Sequence, residues 1–249
     1  MEIAARFELK YILSLAERDA LLAHFPGRIL PDILGGPSGH YPVVSLYCDS
    51  ADRKCYWDAW RGVPSRRKLR LRLYGTKDGA IPAATFVEIK HRDGGAGAKR
   101  RVQLPLEQAI ALANGEAATE LTTADARILD EAQRLIAEEG FRPACVIRYD
   151  RHAYFLHLPE EVALGREPLR VTFDHDIAVR FDDLTPVVDD RKFNQYVLPA
   201  DHCIMEVKGA GAVPYAFASR LSRLKLYPHQ FSKYSEGLRV AGRHLAFAA

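Results

Sequence analysis

The chain has 249 residues, which suits one large domain or two small ones with a substantial core. Apolar residues make up 48 % and charged residues 27 %, an ordinary soluble globular composition, and no apolar run approaches the roughly 20 residues of a membrane helix. Thirty-five basic and 32 acidic residues leave a net charge of +3, which argues against a general nucleic-acid binder and requires any polyanion site to concentrate its charge locally.

Along a strand, residues i and i+2 share a face. At the start of the chain Arg6, Glu8 and Lys10 therefore oppose Phe7, Leu9 and Tyr11. Ser14 with Glu17 forms a capping-box pattern and opens a helix to about Phe25. Further on, Lys68, Arg70 and Arg72 share one face and Leu69, Leu71 and Leu73 the other. Glu88, Lys90 and Arg92 lie together, opposite Val87 and Ile89. The stretch Asp93 to Ala98 is glycine-rich but lacks the spacing of a phosphate loop; it reads as a mobile loop between strands, from which Lys99 could reach the tunnel.

Residues 105–113 suggest a short helix ending at Asn114-Gly115, and Thr123 to Glu139 show helical apolar spacing that stops at Gly140. Around Val146 to Tyr154, Arg148 and Asp150 take one face, Tyr149 and Arg151 the other. Arg170, Thr172 and Asp174 oppose Leu169, Val171 and Phe173, and Glu206 and Lys208 oppose Met205 and Val207. A basic helical segment runs from about Pro214 to Leu226. No repeat or long linker divides the chain, which reads as one domain over residues 1–249.

Taken singly, each of these strands could be an ordinary antiparallel strand with one wet face. Adjacent cations on one strand repel, however, and several strands carry long ionic side chains at successive same-face positions. A closed antiparallel β-barrel of an α+β fold explains the set, with apolar faces outward under flanking helices and charged faces inward. Such an interior must hold water, counter-charges or an anionic ligand. A phosphate chain suits it: Arg grips phosphate oxygens bidentately and Lys acts as a point charge. The carboxylates Glu8, Glu88 and Glu206 either pair with neighbouring lysines or hold Mn²⁺ or Mg²⁺, which takes one or two carboxylates plus substrate phosphate.

Competing motifs are weak. Cys48, Cys55, Cys145 and Cys203 form no CxxC pair and read as reduced thiols of a cytoplasmic protein. Nine histidines show no zinc-ligand spacing, and Ser232 has no triad pattern around it.

The ordered motifs Glu8-Leu9-Lys10, Ser45-Leu46-Tyr47-Cys48-Asp49, Lys68-Leu69-Arg70-Leu71-Arg72, Glu88-Ile89-Lys90, Tyr149-Asp150-Arg151, Glu206-Val207-Lys208 and Ser232-Lys233-Tyr234 resemble the VTC domain. That is the polyphosphate polymerase domain of the CYTH-like triphosphate tunnel metalloenzyme superfamily. The resemblance implies a triphosphate tunnel in which Arg70, Arg72 and Lys90 grip phosphate and act in catalysis with Glu206, a metal ligand. It also carries Lys10, Tyr149, Arg151, Ser232 and Lys233 into the phosphate site; Lys68 and Lys208 join them by position on the same faces. The implied reaction moves the terminal phosphate of ATP onto a polyphosphate chain. A triphosphatase, a polyphosphatase or a polyphosphate-binding module would use the same tunnel, and a membrane protein could be a partner. Arg6 stands where triphosphatase branches carry a further Glu, and His229-Gln230 stand where the family often has a basic residue.

Overall fold

Period-two alternation of ionic and apolar residues becomes one antiparallel sheet. The computed structural model describes residues 6–75, 84–94, 96–116 and 123–243. Its strands are β1 (Arg6–Ser14), β2 (Ile29–Pro31), β3 (His40–Asp49), β4 (Arg66–Tyr74), β5 (Ala84–Asp93), β6 (Ala96–Pro105), β7 (Arg142–Leu156), β8 (Leu169–Arg180), β9 (Gln195–Tyr196) and β10 (His202–Ala210). Its α-helices are α1 (Leu15–Leu22), α2 (Lys54–Trp60), α3 (Leu106–Asn114), α4 (Thr123–Ala137), α5 (Pro159–Ala163), α6 (Tyr215–Arg223) and α7 (Lys233–Val240). The fold is α+β, built on a large antiparallel sheet.

The ladder runs β1-β10-β8-β7-β3-β4-β5-β6, with β2 beside β7 and β9 beside β8. Laid flat, β1 and β5 would stand six strand spacings apart, roughly 29 Å at the usual ladder spacing. Yet Lys90 Nζ of β5 lies 3.6 Å from Glu8 Oε2 of β1. Two side chains cannot span that gap, so the sheet is rolled around its ionic face. Among the described residues no ladder pairs β1 with β6, and the ring is not closed by backbone hydrogen bonds.

The leucines and valines face outward and are covered. Leu69, Leu71, Val87 and Ile89 join Leu112 of α3 and Ala132 and Leu135 of α4 in one buried cluster. Leu13, Phe173, Met205 and Val207 form a second with Leu21 of α1 and Phe217 and Leu221 of α6. The two clusters remove most of the sheet's apolar surface from water, the dominant favourable contribution to such a fold.

The expected helices at Ser14, 105–113, Thr123 and Pro214 are present. The Ser14–Glu17 capping box is formed in both directions, and Gly115 ends α3 in the left-handed conformation. The glycine-rich stretch differs from expectation. It is a tight hairpin in which Asp93 pairs with Ala96, because Gly94 supplies the positive φ of 53° that such a turn needs. Lys99 therefore sits on a strand. Helices α2, α5 and α7 were not anticipated; all are short, and α2 and α5 lack a side-chain cap.

Candidate functional site: the charged concave face

On β4 and β5, Arg70 grips Glu88. Arg70 Nε and Nη2 donate to Glu88 Oε2 at 2.8 and 2.6 Å, and Lys99 Nζ reaches Oε1 at 3.4 Å. Burial alone would push the Glu88 carboxyl up, but Arg70, Arg72 and Lys99 bring it down to about 2. Glu88 is thus fully engaged as a counter-ion for Arg70.

A second cluster joins β7, β8, β10 and α7. Arg151 donates twice to Asp174. Lys233, the first residue of α7, reaches Asp174 Oδ2 at 2.6 Å and Glu206 Oε1 at 3.0 Å. Arg151 Nη2 and Lys208 Nζ approach Glu206 Oε2 at 3.6 and 3.4 Å. Burial raises the Glu206 carboxyl, yet Lys233, Lys10, Lys208 and Arg151 together hold it well below the usual carboxylate range. Tyr149 is buried beneath this group, with Lys233 Nζ 4.7 Å from its ring centroid.

At the rim, Lys10 Nζ lies 3.6 Å from Glu8 and 3.8 Å from Glu206, and donates to the Phe231 carbonyl at 3.0 Å. Lys208 also approaches Glu8, at 4.0 Å. The Arg6 side chain lies outside the described residues.

Two cations are weakly compensated: Lys68 forms no ion pair among the described residues, and Arg72 has only a long one to Glu88. Lys68 Nζ donates to Ser232 Oγ at 3.1 Å, and that oxygen also caps α7 by accepting from the Ser235 amide. Arg72 is buried, donates through Nε to Ser45 Oγ at 3.0 Å, and lies 4.0 Å from the nearest oxygen of Glu88. Burial draws the Lys68 and Lys90 ammonium groups below their usual range.

The structure therefore brings all thirteen sequence-predicted site residues onto or beside one face: Glu8, Lys10, Lys68, Arg70, Arg72, Glu88, Lys90, Tyr149, Arg151, Glu206, Lys208, Ser232 and Lys233. Three participants were missed. Asp174 was placed on its face but given no role; its pairing with Arg151 depends on the β7–β8 register. Tyr47 appeared only within a motif, though its i+2 relation to Ser45 and Asp49 was readable. Thr172 lies in register with Glu206, and its hydroxyl oxygen is buried without a hydrogen-bond partner.

That orphaned hydroxyl bears on metal binding. Glu206 and Glu8 both contact Lys10 and Lys208, and Thr172 adds a neutral oxygen opposite Glu206. An oxygen-only donor set of this kind fits a hard divalent cation completed by phosphate and water. Both oxygens of Glu88 face Arg70 and Lys99, and both of Glu206 face Lys233, Lys10, Arg151 and Lys208, so a cation at either carboxylate has to displace these groups toward the ligand. Among the described residues no three His, Cys, Asp or Glu side chains converge as a self-sufficient metal site.

A family profile for the VTC domain matches residues 5–241. The chain belongs to the VTC family. The VTC match takes in every charged side chain described above, from Glu8 to Lys233, and supports a tunnel-type enzyme of phosphate chemistry. Comparison with curated proteins found no match. Among solved structures, a Bacillus halodurans protein described as a "putative adenylate cyclase" aligns with 12 % identity and a TM-score of 0.48, covering 93 % of this chain and 96 % of that one. Among the described residues of this VTC domain, no helix is long and apolar enough to cross a membrane. Its four cysteines are free and buried.

Proposed function

We propose that this VTC domain is a phosphotransferase that extends polyphosphate from ATP within a tunnel closed on its open side by side chains. The observation that carries the reading is the under-compensated pair Lys68 and Arg72 on a concave face where other cations already hold carboxylates. Lys68, buried without a carboxylate partner, and Arg72, with only the distant Glu88, favour an anionic ligand.

In this reading Lys68, Arg70, Arg72 and Lys90 hold one stretch of phosphates. Lys10, Arg151, Lys208, Ser232 and Lys233 hold the other, over the Tyr149 ring. A terminal oxygen of the acceptor chain attacks the terminal phosphorus of ATP, the bond to the bridging oxygen breaks, and ADP leaves with that electron pair. No protein nucleophile is required: in-line alignment and neutralisation of the phosphoryl oxygens supply the rate. Glu206, with Glu8 and Thr172, would hold Mn²⁺ or Mg²⁺, which when bound neutralises charge on the reacting phosphates. We place the protein in the cytoplasm, with no nucleic-acid partner.

Purified protein incubated with ATP and Mn²⁺, and separately with triphosphate, decides the reading on a gel stained for polyphosphate. A ladder from ATP supports the polymerase. Free phosphate without a ladder would transfer the protein to the triphosphatases, and absence of product from either substrate would leave a polyanion-binding module.

A further inference from the structure

Tyr47 projects from β3 among the cations of the concave face. Its hydroxyl oxygen accepts from Arg70 Nη1 at 3.0 Å. Among the described residues no acceptor lies within hydrogen-bonding distance of the hydroxyl's own proton. The groups around it are Lys68, Arg70 and Arg72 of β4, and Lys233 and Tyr234 of α7. On its own strand, the Asp49 carboxylate is turned to other partners: it accepts from the Tyr234 hydroxyl at 2.5 Å and from the Ser50 and Cys55 amides at 2.8 and 2.9 Å.

The ring is also fixed. It stacks on Tyr234 with centroids 5.4 Å apart and planes 18° apart, and Asp49 pins Tyr234. A buried hydroxyl held rigidly, one lone pair taken and its proton unplaced, is a preorganised donor.

We propose that Tyr47 is a substrate-contacting residue, and that its hydroxyl donates a hydrogen bond to an oxygen of the bound phosphate chain. The inference rests on the phosphate-binding reading of this face and adds a second neutral hydroxyl, besides Ser232, to a mainly cationic site.

It carries a consequence in proton balance. Burial pushes the Tyr47 phenol up, but Arg70, Arg72 and Lys233 bring it down to about 8. A polyanion seated among the same cations offsets their field and returns the phenol to its protonated, donating form. Binding above about pH 8 therefore takes up one proton at Tyr47, which weakens affinity by up to about tenfold per pH unit beyond that point. Lys68 and Lys90 also lose protons at alkaline pH and weaken binding independently, so the tyrosine needs its own signal.

Inorganic triphosphate, without metal, is the probe. Its affinity is measured by calorimetry at about pH 7 and about pH 9 on the full chain and on Tyr47→Phe, alongside the near-ultraviolet tyrosinate band. At the higher pH, triphosphate should bleach close to one tyrosinate in the wild type and none in Tyr47→Phe; at the lower pH neither should change. Tyr74, which Arg72 also draws below its usual range, is controlled by Tyr74→Phe, which should keep the bleaching. Tyr47→Phe should bind triphosphate about tenfold to a hundredfold more weakly at neutral pH, the usual size of one lost hydrogen bond to a charged partner. Equal affinity in both proteins with no bleaching overturns the role of Tyr47 while leaving phosphate binding intact. Absence of triphosphate binding in the wild type overturns both.

Discussion

Arg151 and Asp174 face each other across β7 and β8, with Nε donating to Oδ1 at 2.6 Å and Nη2 to Oδ2 at 2.8 Å. Both residues are buried, Asp174 completely. The pair forms a base from which Lys233 and Glu206 are positioned, because Lys233 bridges the two carboxylates.

Replacing Asp174 with Asn leaves Arg151 and Lys233 buried with only Glu206 as an anionic partner. We expect Asp174→Asn to lose about 3–5 kcal/mol of stability, the usual cost of breaking a buried ion pair from one side. Urea denaturation measures this; a loss below about 1 kcal/mol would show that the pair contributes little net stability.

Glu206 separates catalysis from binding. Glu206→Gln removes the carboxylate expected to hold the metal but frees Lys10, Lys208 and Lys233 for phosphate. Turnover of ATP with Mn²⁺ should fall at least about a hundredfold, the scale of losing a charge-stabilising group, while triphosphate affinity holds or rises. Full turnover in this variant would refute the metal assignment.

Arg72 has only a long ion pair to Glu88, which Arg70 and Lys99 still hold when Arg72 is gone, so its removal should register mainly on the ligand. Arg72→Gln should weaken triphosphate binding about tenfold to a hundredfold by calorimetry, the range of a charge-assisted hydrogen bond. Unchanged affinity would mean that the phosphate chain runs elsewhere on the face.

Acid should unfold the protein through its concave face. The Glu88, Asp174 and Glu206 carboxyls are all held below their ordinary values. A depressed carboxyl contributes stability above its unfolded pKa and loses it as pH falls through the folded one. The melting temperature should therefore begin to drop near about pH 4 and continue falling toward about pH 2, the value to which Glu88 is drawn. A melting temperature constant across that window would contradict the assigned ion pairs.

Much of the face was legible because the strand period is two and its charges are long. Lys68, Arg70 and Arg72 could share a side only if Leu69 and Leu71 shared the other, and both leucines are buried outside. What alternation cannot supply is the order of strands. Asp174 was visible beside Arg170 and Thr172, but its partner Arg151 follows only from β7 lying next to β8. Lys233 was placed by its motif, yet its approach from a helix was not; α7 enters through Ser232, whose capping signal lacks the Glu that marked Ser14. The hairpin at Gly94 was obscured by its own glycines, which read as a loop wherever strand lengths are unknown.

The place of β1 in the ladder has a consequence for synthesis. Lys10, near the beginning of the chain, pairs in register with Glu206, near its end. Strands β3 to β6 are assembled from segments lying between His40 and Pro105. The remainder of the wall needs contacts across most of the chain, which form slowly. On a ribosome, a nascent chain that has not yet reached β10 leaves β1 without its ladder partner, and one that has not reached α7 leaves Asp174 without Lys233. Half-made copies therefore cannot assemble the complete concave face, whose completion waits for the arrival of α7.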